Sequence, residues 1–253
     1  MKSHTLVKII FAILSFFLLI SNTYSEDSSF EISVGLLPPQ VIKLNKTKPE
    51  GLFIEVLTEA LENSHIPYKI KISPWKRAVE ENASTNQLYY LIRTPARETK
   101  YSWITSLYED PSALYNLKDS PTIRNFDDFK KLKNIGTFAG GAGESLLKYL
   151  GFEKQIYYCK DDEQCIKLLI DGTLDGWFSQ NLKSKYLMKK LKIEKMFNKE
   201  FILFNGQGYL AASLNMSKKD QDIIRNSMEK FKKNSKYRHI LKMYGAKPPE
   251  THK

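Results

Sequence analysis

The chain has 253 residues, 42% of them hydrophobic, and its 39 Lys and Arg against 28 Asp and Glu give a formal charge of +11. A chain of this size buries about 70% or more of its unfolded surface and makes one large or two small domains. His4, His65, His239 and His252 are scattered and only Cys159 and Cys165 accompany them, so no metal site and no cofactor is expected.

Residues 1–25 place Lys2 and Lys8 around an apolar run from Val7 to Ile20, with Thr23-Tyr24-Ser25 at the positions a signal peptidase reads. The run is short for a membrane span and polar residues follow it, which predicts a secretory signal cleaved near Ser25. An uncleaved anchor is the alternative. Export places the mature chain in an oxidising compartment, where Cys159 and Cys165 would pair as a disulfide; two free thiols are the other outcome. Loss of Lys2 and Lys8 leaves a mature charge of +9, and the excess is local, with 18 Lys and Arg against 6 Asp and Glu from Asn181 onward. Such a face suits nucleic acid, an anionic membrane or acidic partners. Export and the lack of nucleic-acid motifs argue against nucleic acid, and a solvated lysine-rich helical face is the plain reading.

Phe30, Ile32, Val34 and Leu36 alternate with polar residues or glycine as a strand, which Leu37-Pro38-Pro39-Gln40 breaks. Gly51 precedes a helix carrying Phe53, Val56, Leu57, Ala60 and Leu61 on one face. Tyr68, Ile70 and Ile72 alternate with Lys69 and Lys71 in a second strand ended by Pro74, and Trp75, Arg77 and Ala78 start the next helix. Strand, helix, strand, helix predicts a parallel sheet. The apolar run Leu88-Tyr89-Tyr90-Leu91-Ile92 reads as a buried strand, and Arg93 and Arg97 follow it around Thr94 and Pro95. The edge beyond such a strand is where open α/β folds form crevices, and guanidinium is a planar fork that matches a carboxylate or phosphate. The alternative is an arginine paired with Glu98.

Tyr108-Glu109-Asp110-Pro111 reads as a first crossing into a second lobe. A short helix at Asp127–Leu132 and a strand at Asn134–Phe138 lead to Ala139-Gly140-Gly141-Ala142-Gly143, glycines before a helix whose N–H groups can approach an anion. The loop lacks the P-loop lysine and the Rossmann spacing. A helix carrying Ile166, Leu169 and Ile170 ends at Gly172, Gly176-Trp177-Phe178 is a strand, and Leu182–Leu191 is a basic helix. Met196–Phe204 carries the chain back, Tyr209–Ala212 is the returning strand, Ser217-x-x-Asp220 caps a helix, and Gly245 stops the last one.

Thr94-x-x-Arg97, Gly51-x-x-x-Glu55, Leu169-x-x-Gly172-x-x-Asp175 and Tyr237-x-x-Ile240-Leu241-x-x-Tyr244-Gly245 occur in the order seen in the periplasmic solute-binding proteins of ABC importers. Together they cover nearly all the chain after residue 30, and the chain resembles the polar-amino-acid family, family 3, of those proteins. The resemblance implies a two-lobed α/β fold of the type II periplasmic-binding-protein kind, each lobe a mostly parallel sheet flanked by helices, with a ligand cleft between. The lobes would be 26–112 with 201–253, and 113–200. It also implies that Arg97 and Thr94 hold a ligand carboxylate; Arg93 and Tyr90 are further candidate contacts, and Arg77 either contacts ligand or caps the strand edge. Gly140, Gly141 and Ala142 would touch ligand from lobe two. Trp75 is the candidate cleft aromatic, with core packing as the alternative.

The chain departs from the family at informative places. Small hydroxyl residues usually precede T-x-x-R, where this chain has Tyr90 and Ile92, and the aromatic expected after the first strand is missing around Pro39 and Gln40. The family acid that pairs with a ligand ammonium is replaced by Gln180, an amide that adds no full charge to a buried ion pair. The expected protein is therefore a monomeric periplasmic binder of a small, carboxylate-bearing solute, amino-acid-like or another organic acid, serving an inner-membrane ABC permease. A stand-alone sensor or adaptor is the first alternative and a dehydratase-like enzyme the second, although no catalytic motif is present.

Overall fold

A computed structural model describes residues 29–42, 49–80 and 86–249, so the expected leader over 1–25 lies outside the described residues. Strands β1 (Phe30–Val34), β2 (Tyr68–Ile72), β3 (Gln87–Ile92), β4 (Ser102–Glu109) and β10 (Gln207–Ala212) form one sheet in the order β2-β1-β3-β10-β4. Strands β5 (Ser112–Tyr115), β6 (Ile135–Phe138), β7 (Ile156–Cys159), β8 (Gly176–Gln180) and β9 (Phe201–Phe204) form the other, in the order β7-β6-β8-β5-β9. Within each sheet three strands pair in parallel, and one strand runs antiparallel to both its neighbours: β10 in the first, β5 in the second. These two are the strands that enter from the opposite lobe. They start at the edge where the parallel strands end, so they must run the other way. The second crossing follows β9, at Asn205-Gly206, a few residues later than the expected return at 201.

The helices are α1 (Leu52–Asn63), α2 (Trp75–Glu80), α3 (Phe126–Lys130), α4 (Ala142–Tyr149), α5 (Asp162–Ile170), α6 (Asn181–Leu191), α7 (Lys218–Lys232) and α8 (Ser235–Met243). In lobe one, α1 buries Phe53, Val56, Leu57, Ala60 and Leu61 against Met228 and Phe231 of α7 and Ile240 and Leu241 of α8. Each such large side chain contributes about 2 kcal/mol of burial. Lobe two has two clusters, one around Tyr115 and Trp177, the other around Phe129, Leu147 and Phe178.

The motif residues of the sequence have structural work here. Gly51 sits at φ 139°, and a Cβ there would lie 2.4 Å from the Gln40 carbonyl oxygen, so only glycine lets α1 start against the Pro39-Gln40 loop. Leu52 and Phe53 then donate their N–H groups to the Pro39 and Gln40 carbonyls, at 2.9 and 3.1 Å. Asp175 accepts from the Lys133 and Asn134 N–H groups at 2.6 and 2.9 Å, tying the start of β8 to that of β6. The Tyr237 hydroxyl donates to the Leu107 carbonyl, and the Tyr244 hydroxyl to Glu55.

Cys159, at the end of β7, forms a disulfide with Cys165 on α5. The closed loop is short, so the bond stabilises by about 2 kcal/mol in the chain-entropy account. Intact mass of the oxidised protein is expected to fall two protons short of the reduced form. Two thiols open to alkylation in the native protein would contradict the pairing.

Candidate functional site

The parallel strands of both sheets end facing one another, and the side chains just past those ends enclose a cavity. Leu37 and Gln40 follow β1, Trp75 follows β2, Tyr90 and Ile92 end β3, and Arg97 lies in the turn beyond. Lobe two supplies Phe138 at the end of β6, Gly141 and Ala142 at the start of α4, and Gln180 and Lys183 where β8 passes into α6. Asp110, in the first crossing, joins the wall. Its volume, open solvent at the mouth included, is about 350 Å³. The two lobes meet around it.

Closure is written in contacts between lobes. Thr94 Oγ1 lies 3.1 Å from Ser145 Oγ, and an Arg97 Nη2–H donates to the Gly140 carbonyl at 3.3 Å. At the crossing, Asp110 N–H donates to the Gly206 carbonyl at 2.9 Å, linking the two connecting segments. Leu182 N–H, at the start of α6, donates to Asp110 Oδ1 at 3.1 Å.

The two arginines have different employment. Arg93 forks onto Glu98, Nε to Oε2 at 2.8 Å with Nη2 to Oε1, and lies 5.4 Å from the ring centres of Trp103 and Tyr209. It does not line the cavity. Because Arg93 takes Glu98, Arg97 is left with two carbonyls, Ile92 and Gly140, each at 3.3 Å, and no carboxylate partner among the described residues. Burial lowers the pKa of Arg97, against the opposing influence of Tyr101, Tyr90 and Glu144. A guanidinium without a counter-ion at the wall of a closed cavity is suited to a ligand anion.

Of the other sequence candidates, Trp75, Tyr90, Gly141, Ala142 and Gln180 line the cavity, while Arg77 is exposed on α2 away from it. Thr94 is buried and engaged with Ser145. Trp75 lines the cavity and also packs against the cluster of Val79, Tyr89 and Tyr101. The glycine loop differs from the anion cradle anticipated for it: Gly140 N–H donates to Glu144 Oε2 at 2.7 Å and Gly141 N–H to the Phe138 carbonyl at 3.1 Å. It presents a carbonyl to Arg97 instead.

Three polar wall residues were not singled out from the sequence as ligand contacts. Gln40 is 2% exposed and its Nε2 donates to Asp110 Oδ2 at 3.1 Å and to the Tyr90 hydroxyl at 3.3 Å. Asp110 is fully buried, and the Tyr90 hydroxyl also donates to its Oδ2, at 3.0 Å. Burial pushes the Asp110 pKa up to about 6, opposed by the Leu182 and Tyr90 hydrogen bonds and the Lys183 charge. Lys183, on the helix read as a solvated basic face, is in fact buried, 2.7 Å from Asp162 Oδ2 and 5.3 Å from the centre of the Phe138 ring. Asp162 Oδ1 accepts from Trp177 Nε1 at 3.0 Å and Ser179 Oγ at 2.9 Å, so the pair is closed by hydrogen bonds on both sides. Among the described residues no cluster of His, Cys, Asp or Glu could hold a metal, and no helix is long and apolar enough to cross a membrane.

Two lobes, two crossings and a cleft at the carboxyl ends of both parallel sheets define the type II periplasmic-binding-protein fold, and solved structures of that class superpose on the chain. A histidine kinase sensor domain with similarity to periplasmic binding proteins matches at TM-score 0.75 and 14% identity, over 87% of this chain and 98% of that one. The structure reported for glutathione import via GshT and the cystine ABC importer TcyBC of Streptococcus mutans matches at TM-score 0.71 and 20% identity, over 88% and 97%. The arginine-, lysine-, histidine-binding protein ArtJ of Geobacillus stearothermophilus matches at 0.69 and 18%, over 87% and 96%. No protein-family model and no curated sequence matches the chain.

Proposed function

We propose that the protein is a periplasmic solute-binding protein that captures a small carboxylate-bearing molecule by cleft closure and delivers it to an ABC importer. The observation that carries this reading is Arg97, a guanidinium with no carboxylate partner among the described residues, at the wall of the cavity between two lobes. Arg97 fixes the anionic group, Trp75 and Phe138 supply apolar walls, and Gln180 and Lys183 close from lobe two. Binding favours the closed arrangement by the difference in ligand affinity between open and closed forms, and a permease distinguishes the closed shape. The solved relatives include binding proteins for amino acids, and their fold supports a binding role over a catalytic one.

The sensor-domain likeness favours a second reading, in which the same cleft reports ligand to a signalling partner. Ligand capture is common to both. Thermal-shift screening with carboxylates, amino acids, amines and small peptides is expected to find its strongest stabilisers among the carboxylates. Stabilisation by cations alone would refute the reading. With that ligand, Trp75→Phe is expected to remove most of the ligand-induced fluorescence change while the protein stays folded. An undiminished signal would move the change to Trp103 or Trp177.

A further inference from the structure

The polar atoms of the cavity wall are of two kinds. Arg97, Trp75 Nε1 and Gln180 Nε2 are donors, and the last two are buried without a partner in the protein. Gln40 Oε1, also buried and unpartnered, is an acceptor, and Asp110 adjoins it. The Gln40 amide is oriented by Asp110: an ionised carboxylate only accepts, so the amide nitrogen faces it and the oxygen is left over.

Resting on the reading of this cavity as a carboxylate-ligand site, we propose that Asp110 and Gln40 form a cation-binding pole, so that the ligand is a small zwitterion whose ammonium is held from the inter-lobe crossing rather than from position 180. Charge balance carries the argument. Lys183 is neutralised by Asp162 within hydrogen-bond distance. Arg97 and Asp110 remain, one charge of each sign, neither with an ion-pair partner among the described residues. With Asp110 fully buried, a zwitterion matches both charges, whereas a simple carboxylate leaves Asp110 uncompensated. Asp110 has room for the contact. Its oxygens accept from Leu182 N–H, Gln40 Nε2 and the Tyr90 hydroxyl, three of the roughly four positions a carboxylate offers. The titratable groups around it are Tyr90 on β3, Tyr108 on β4, Tyr115 on β5 and Lys183 on α6. Burial holds the three phenols neutral, so none of them adds a negative charge beside Asp110.

The test compares the α-amino acids, β-alanine and γ-aminobutyrate, each with its deaminated acid, by thermal shift and calorimetry on the mature chain. A zwitterion is expected to bind at least tenfold more tightly than its deaminated partner at pH 7.5. Its Kd should rise about fourfold between pH 7.5 and 5.5, because the proton taken up at a pKa near 6 removes the charge the ammonium needs. The deaminated acid should not weaken over that interval. Asp110→Asn should erase the preference for the zwitterion. The wild-type pH profile carries the test if that variant does not fold: a zwitterion Kd independent of pH overturns the proposal. Deaminated acids that outbind the zwitterions, yet lose binding in Arg97→Ala, would sink the cation pole and leave the carboxylate site standing. Failure of both series to bind would sink both.

Discussion

Arg97→Ala is expected to weaken binding of the carboxylate ligand by roughly a hundredfold or more, at unchanged melting temperature of the ligand-free protein. Truncating a charge-assisted fork in the cleft leaves the ligand anion unpaired, a loss of about 3 kcal/mol or more at 1.4 kcal/mol per decade. The ligand-free protein should tolerate the change because Arg97 gives up only two long hydrogen bonds, to the Ile92 and Gly140 carbonyls. Arg97→Lys should restore part of the affinity, since a point charge cannot reproduce the fork. Calorimetry with the strongest stabiliser from the screen decides it. Undiminished binding by Arg97→Ala would return the residue to a latch between lobes, held by Gly140.

The second large effect concerns stability. Lys183→Ala is expected to cost about 3 kcal/mol, because it removes the cation 2.7 Å from the buried Asp162 carboxyl group and leaves that group without its ion-pair partner. The cost should sit at the low end for a broken buried pair, since Trp177 and Ser179 still donate to the carboxylate. Asp162→Asn combined with Lys183→Met removes both charges and keeps an oxygen for those two donors. That double variant should recover most of the loss. Urea denaturation of the three proteins measures it. A Lys183→Ala variant within half a kcal/mol of wild type, an outcome about the size of a surface substitution, would mean that water reaches Asp162.

Much of the fold was legible in local pattern. Alternation over Phe30–Val34, the apolar run Leu88–Ile92 and the apolar face from Phe53 to Leu61 correspond to β1, β3 and α1. Gly172 and Gly245, at φ 82° and 68°, end α5 and α8 as their positions implied. Periodicity finds these elements because burying one face is a local consequence of residue spacing. Tyr90, Gln180 and Arg97, singled out through the family resemblance, line the cavity at strand ends or just past them. The sequence could not assign the arginines. Both follow β3, both stand near Glu98, and only the side-chain paths put Arg93 on Glu98 and over Trp103 and Tyr209.

By itself, then, the amino-acid order pointed to a strand-helix-strand-helix start with parallel pairing, a crossing at Tyr108–Pro111, Cys159 and Cys165 as the one pair open to a disulfide, and an arginine beyond a buried strand. Tertiary structure decided which charges are compensated. Lys183 looks like any lysine of a basic helix until α6 packs it against Asp162 and Phe138. Asp110 looks like a turn acid before proline until Gln40, Tyr90 and Leu182, up to 72 residues away in the chain, converge on its two oxygens. Spacing in sequence reports which residues share a face. Whether a buried charge meets a partner depends on contacts between elements far apart in the chain, and those exist only once both lobes have folded and closed.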